Sequence, residues 1–193
     1  MEIMDNREQT NLTRRKWTSK RHGGSSIAEF PVVLIGFLLC LLMPMIDLAF
    51  IAFRTSFVHT AAHNAAQSAG RAKTFSANGA NGELSAINIA KRDAIAVKNN
   101  GAGGVNFADT DVIVNIVGTP LKTGKPEIRQ NTPLTAIDTK DYLFQIEVTV
   151  NGQVQPLVTL SDSFFGQVPG LTAPMPIQAS YKQFCEHPGG LSK

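Results

Sequence analysis

Between Phe30 and Phe53 the chain reads FPVVLIGFLLCLLMPMIDLAFIAF, and Asp47 is the only charge in it. A helix rises about 1.5 Å per residue, so this run reaches across the roughly 30 Å hydrocarbon core of a bilayer. A helix that is apolar all round over such a length has no polar face to turn to water. It reads as a membrane segment rather than the core helix of a soluble protein.

The charges orient it. Of the 18 basic and 15 acidic residues, six and three precede Ser25, leaving twelve of each in the remainder. The whole net charge of +3 therefore lies in the leader. Arg14, Arg15, Lys16, Lys20 and Arg21 crowd the near side of the apolar run, with no acid between Arg14 and Ile27. By the positive-inside bias the N-terminus is cytoplasmic, and everything after Arg54 lies across the membrane. The balanced remainder offers no basic face for nucleic acid. An ordinary secretory signal has a shorter apolar core and a small-residue cleavage site, whereas this run is longer and carries Glu29 and Asp47. Residues 13–20 (TRRKWTSK) also look like a twin-arginine export signal, although paired arginines occur in any basic leader.

The junction, residues 20–30 (KRHGGSSIAEF), places a glycine before small residues and then a lone acid entering the apolar helix. A carboxylate at the start of a membrane segment is expensive, which makes it a functional hypothesis by default. The plainer reading is that Glu29 sits in the headgroup layer and complements the positive end of the helix dipole. If the chain is cut after Gly24, Ser25 becomes the N-terminus, Glu29 the fifth residue and Phe30 the sixth.

This pattern resembles the processing site of type IV prepilins. It is most similar to the tight-adherence (Tad, or Flp) branch, in which an aromatic residue follows the glutamate. The chain as a whole resembles a TadE/TadF-like minor pilin (pseudopilin): basic leader, Gly24-to-Phe30 junction, an aliphatic helix with an acid near its far end (Asp47), a small-residue helix and a compact β-containing head. The specific part covers residues 14–70. Pro31 departs from the pattern, where an unbroken aliphatic run is usual. The resemblance implies cleavage between Gly24 and Ser25 by a membrane prepilin peptidase, with Glu29, Phe30 and Asp47 serving recognition and assembly. It also implies a single-pass protein of a bacterial inner membrane. Its implied partners are the major Flp-type pilin, other minor pilins, an inner-membrane assembly platform and the lipid bilayer.

The expected organisation is a basic leader removed on maturation (1–24), a transmembrane and then amphipathic helix (25–76), and an α+β head outside the cytoplasm (77–193). In the second part of the helix Phe57, Val58, Ala61, Ala62, Ala65, Ala66, Ala69 and Ala72 fill one half of the wheel, with Arg54, Thr55 and Ser68 intruding. Gly70 and the glycine and asparagine residues of 78–82 end it. In the head, residues 83–98 predict a helix with Asn81 as a possible cap, and residues 111–118 a strand. Residues 119–141 read as a long exposed loop. Residues 142–150 (YLFQIEVTV) predict the best strand, and Asn151-Gly152 a hairpin turn into a second strand at 153–158, demoted to an edge by Pro156. Residues 161–170 predict a loop or short helical turn, and residues 175–184 a last strand. The fold class is α+β: a long N-terminal helix packed on three or four mostly antiparallel strands.

Chemistry is sparse. His59 and His63 share a helical face, but Thr60 occupies the place where a metalloprotease needs glutamate, and no third ligand is evident. The run Ser161-Asp162-Ser163 lacks a nucleophile elbow, and the glycines of residues 101–104 form no phosphate-binding fingerprint. Cys40 and Cys185 fall in different parts of the chain and are expected to stay unpaired with each other. Neither an enzyme nor a cofactor is expected. Two classes remain: a processed pilus subunit, or a permanently anchored, uncleaved binding domain unrelated to pili. The spacing of Gly24 and Glu29 favours the first.

Overall fold

The computed structural model describes residues 26–78, 82–101, 103–161 and 166–193. The chain divides after Cys40 into two compact units, Met1–Cys40 and Leu41–Lys193. Among the described residues the first unit is helix alone, the opening part of α1 (Ser26–Gly70). Pro31 is the sixth residue of α1, beyond the first turn, and takes away one backbone donor without stopping the helix. From Phe30 to Met43 every side chain is exposed. The most apolar 18-residue window of α1 has a mean hydropathy of 2.5, and 6% of it is buried. By length and composition α1 can cross a membrane, and its exposure is unlike that of a soluble protein's core helix.

The second unit is α+β. A buried stripe on α1 begins at Asp47 and recurs every three or four residues through Ile51, Arg54, Val58, Ala61, Ala62, Ala65, Ala66 and Ala69. The alanine half-wheel is thus the packing face, and Gly70 closes the helix inside the expected 25–76 segment. Phe57 is only half-buried, edge-on to Phe53 at 5.1 Å. The second helix, α2 (Ala86–Asn100), starts later than expected, because the Ser85 hydroxyl accepts the Asn88 N–H and caps it. Asn81, the expected cap, lies outside the described residues. Ala86, Ala90 and Ala94, at intervals of four, form the buried face of α2.

Five strands make one curled antiparallel sheet: β1 (Val105–Asn106), β2 (Val112–Pro120), β3 (Ile128–Gln130), β4 (Tyr142–Val154) and β5 (Met175–Phe184). β4 is central. It pairs along one edge with β5 and along the other with β2 and then β1, while β3 flanks β2. Val114, Ile116, Ile146, Val148 and Val150 are among the sheet residues that enter the core with the helices.

Two expectations are corrected here. Asn151-Gly152 is no turn: β4 runs straight through it, Asn151 opposite Gln178 and Gly152 opposite Ile177. A type I′ turn needs positive φ at both residues, and neither has it. No strand follows at 153–158; the chain leaves β4 at Val154 and continues as a loop. Within the expected 119–141 loop, β3 pairs with residues 116–118 of β2, and β2 itself extends to Pro120. The sheet therefore has five strands rather than three or four.

Ala65 has no exposed surface in this packing. Ala65→Leu is expected to lower unfolding free energy by about 1–3 kcal/mol, because the added carbons must push α1 off the sheet. Thr60→Leu, on the exposed face, is expected to change it by less than about 0.5 kcal/mol. Thermal unfolding followed by circular dichroism compares the two.

Candidate functional site

The junction divides between what is and is not described. Arg14, Arg15, Lys16, Lys20, Arg21, Gly24 and Ser25 lie outside the described residues. The backbone of Glu29 lies in the first turn of α1, and Phe30 follows it with an exposed ring.

Asp47 has a definite setting. Its side chain is 1% exposed, and its Oδ1 accepts the N–H groups of Leu157 and Val158, both at 3.0 Å. Two turns along the same face, Arg54 is 8% exposed and its Nη1 donates to the Gln155 carbonyl at 2.5 Å. The Gln155 N–H in turn donates to the Gly104 carbonyl at 2.7 Å. Together they form a clasp in which two charged residues of α1 hold the segment that leaves β4. Buried ions persist only when hydrogen-bonded or paired, and here backbone groups supply the bonds. Asp47 Oδ2 and Arg54 Nε are buried without a hydrogen-bond partner among the described residues.

Glycine serves the clasp at two places. Gly104 takes φ +73°, and any side chain there would strike the Arg54 guanidinium. Gly170 takes φ +91°, and a Cβ there would come within 2.8 Å of Ile51 Cδ1. Both positions demand a conformation that L residues rarely adopt and a close approach to α1.

In the sequence Arg54 is only an intrusion on the apolar face of the helix, and no pattern there signals the clasp. Nor does any pattern signal the ion cluster on the sheet face away from the helices. Glu147, buried at the centre of β4, lies 2.8 Å from Arg129 Nε and 3.7 Å from Lys182 Nζ, on β3 and β5. The Arg129 contact is an ion pair without aligned hydrogen-bond geometry at Oε2. Both cations reach solvent, which screens their attraction, while the buried Glu147 carboxylate depends on them to offset its desolvation.

The remaining candidates carry no assembled chemistry among the described residues. His63 sits edge-on against Tyr181 at 4.3 Å, and His59 is exposed. No group of three His, Cys, Asp or Glu side chains with metal-binding geometry occurs among the described residues. Asp162 and Ser163 lie outside them. Both cysteines are free, and burial pushes the half-buried Cys185 thiol above its ordinary value. The Glu127 carboxylate beside Tyr142 raises the phenol likewise.

Comparison of the chain with protein-family models, with curated proteins and with solved structures gives no match to any of them.

Proposed function

We propose that the chain is a minor-pilin-like (pseudopilin) subunit of a tight-adherence type IV pilus system, with a structural rather than enzymatic role. The observation that carries this reading is the spacing of Gly24, Glu29 and Phe30 directly ahead of a long apolar helix. In this reading α1 anchors the subunit in the bacterial inner membrane, with the leader in the cytoplasm and the sheet outside. A prepilin peptidase removes residues 1–24, and the exposed apolar side chains of α1 then pack against other pilus subunits and the assembly platform. The continuation of α1 from its apolar part into the alanine stripe supports it, since one element then joins the anchor to the folded unit.

N-terminal sequencing of the membrane-extracted protein is expected to begin Ser-Ser-Ile-Ala-Glu. Gly24→Ile is expected to leave the precursor uncut, because a β-branched side chain obstructs close approach of an extended peptide to the peptidase. A mature protein that starts at Met1 overturns the proposal and leaves the uncleaved anchored domain in its place, and one that starts beyond Phe53 overturns both.

A further inference from the structure

The segment held by the clasp has an unusual surface. Leu157, Val158, Val168 and Met175 expose 45%, 41%, 40% and 38% of their surface. Between Glu147 and Lys182 the sequence carries one charge, Asp162. Beside this segment α1 exposes Leu48, Phe50 and Phe53. Arg54, the first cation after the apolar run, turns inward to the Gln155 carbonyl instead of reaching out to water. Around the clasp, loop and helix thus present apolar side chains while the nearby charges, Asp47 and Arg54, are buried.

From this juxtaposition we infer that residues 155–161 and 166–175 form a membrane-contacting surface beside the outer end of the anchor, a collar with the outer leaflet of the bilayer as its partner. The inference rests on the reading of α1 as a membrane anchor. A span that starts at Phe30 needs about 20 residues to cross the hydrocarbon core, which ends it near Ala49, two residues from Asp47. The clasp therefore falls at the bilayer boundary, and the loop it fixes lies against lipid. Irregular backbone cannot enter hydrocarbon, because its N–H and C=O groups need water. The collar consequently rests at headgroup depth and dips only its side chains. Pro156, Pro169 and Pro174 suit that position, since each removes a donor that would otherwise need hydration. The collar also explains why Asp47 and Arg54 are spent inside the fold: they fix the loop at one height on the helix.

The test uses the full chain with Cys40 and Cys185 replaced by alanine, reconstituted in phosphatidylcholine–phosphatidylglycerol vesicles. Single cysteines at Leu157, Val168, Leu38 and Leu121 carry an environment-sensitive fluorophore, and the lipids carry a nitroxide at shallow or deep acyl positions. Leu121 adjoins Pro120, which pairs with Tyr142 at the end of β4 away from the clasp, roughly 40 Å along the strand. The expected result is shallow-nitroxide quenching at 157 and 168 at least about twofold stronger than at 121, with deep quenching at 38. Quenching at 157 and 168 no stronger than at 121, while 38 is quenched, overturns the collar and leaves the anchor standing. Absence of quenching at 38 overturns the anchor, and the collar with it. Protection at 157 that disappears on dilution of the protein in lipid overturns it in favour of a second copy as the occupant.

Discussion

Asp47→Ala is expected to lower the stability of the folded unit by about 2–5 kcal/mol and to release residues 155–161 to protease. The carboxylate accepts two backbone N–H groups in a site with almost no solvent access. Alanine leaves both donors unpaired, and each buried orphan costs about 1–3 kcal/mol unless the loop lifts off to hydrate it. Asp47→Asn keeps an acceptor at Oδ1 but loses the charge that strengthens the bonds, so roughly half the loss is expected. Arg54→Ala attacks the same segment through Gln155. Once the loop is free, removing the second hold has less to break, so the double variant is expected to lose less than the sum of the two. Circular dichroism melts and chymotrypsin digestion in detergent read both effects. An Asp47→Ala protein with unchanged melting and an uncut loop would show that the two N–H bonds hold nothing.

This clasp was half legible. An acid at the end of an apolar run is conspicuous, but its partners are backbone N–H groups 110 and 111 residues away, which no side-chain pattern records. The alanine stripe was legible because its period is local and its meaning survives any tertiary arrangement: small residues on one face allow close approach. The last strand, expected at residues 175–184, is found there as β5. Asn151-Gly152 misled for the opposite reason. The dipeptide is a strong local signal, but full-length pairing with β5 outweighs a two-residue preference when the chain can form ten consecutive cross-strand pairs. β3 escaped notice because three residues pairing at a sheet edge leave almost no periodicity to read. The cap of α2 followed a similar logic: Ser85 and Asn81 both suit the position, and the choice between them depends on where the helix docks. The junction differs from all of these. Its whole signal lies in eleven consecutive residues, of which 20–25 fall outside the described ones, so the fold does not bear on it.

If the chain is the pilus subunit proposed above, Glu29→Leu is expected to spare anchoring and largely spare cleavage after Gly24, yet to impair its recovery with other pilus subunits. The substitution only makes the segment more apolar, so membrane insertion has no reason to suffer. In that reading, cleavage would give Ser25 an ammonium group four residues ahead of the carboxylate, with both at the membrane boundary. A lone subunit can leave them hydrated by headgroup water. When helices bundle, that water is displaced and an unpaired carboxylate becomes costly, so pairing with an ammonium is favoured. The pilin resemblance implies that this ammonium would be the N-terminus of a neighbouring subunit, which would set the axial register between adjacent helices. If Glu29 merely complements the dipole of its own helix, its loss removes only about 0.3–1 kcal/mol and assembly continues. Co-purification of Glu29→Leu with the other subunits, alongside N-terminal sequencing, separates the two. A cut, membrane-bound variant that recovers no partners carries the register mechanism. Normal recovery reduces Glu29 to an interfacial acid, because a bundle that tolerates leucine at this position has no buried ammonium waiting for a partner.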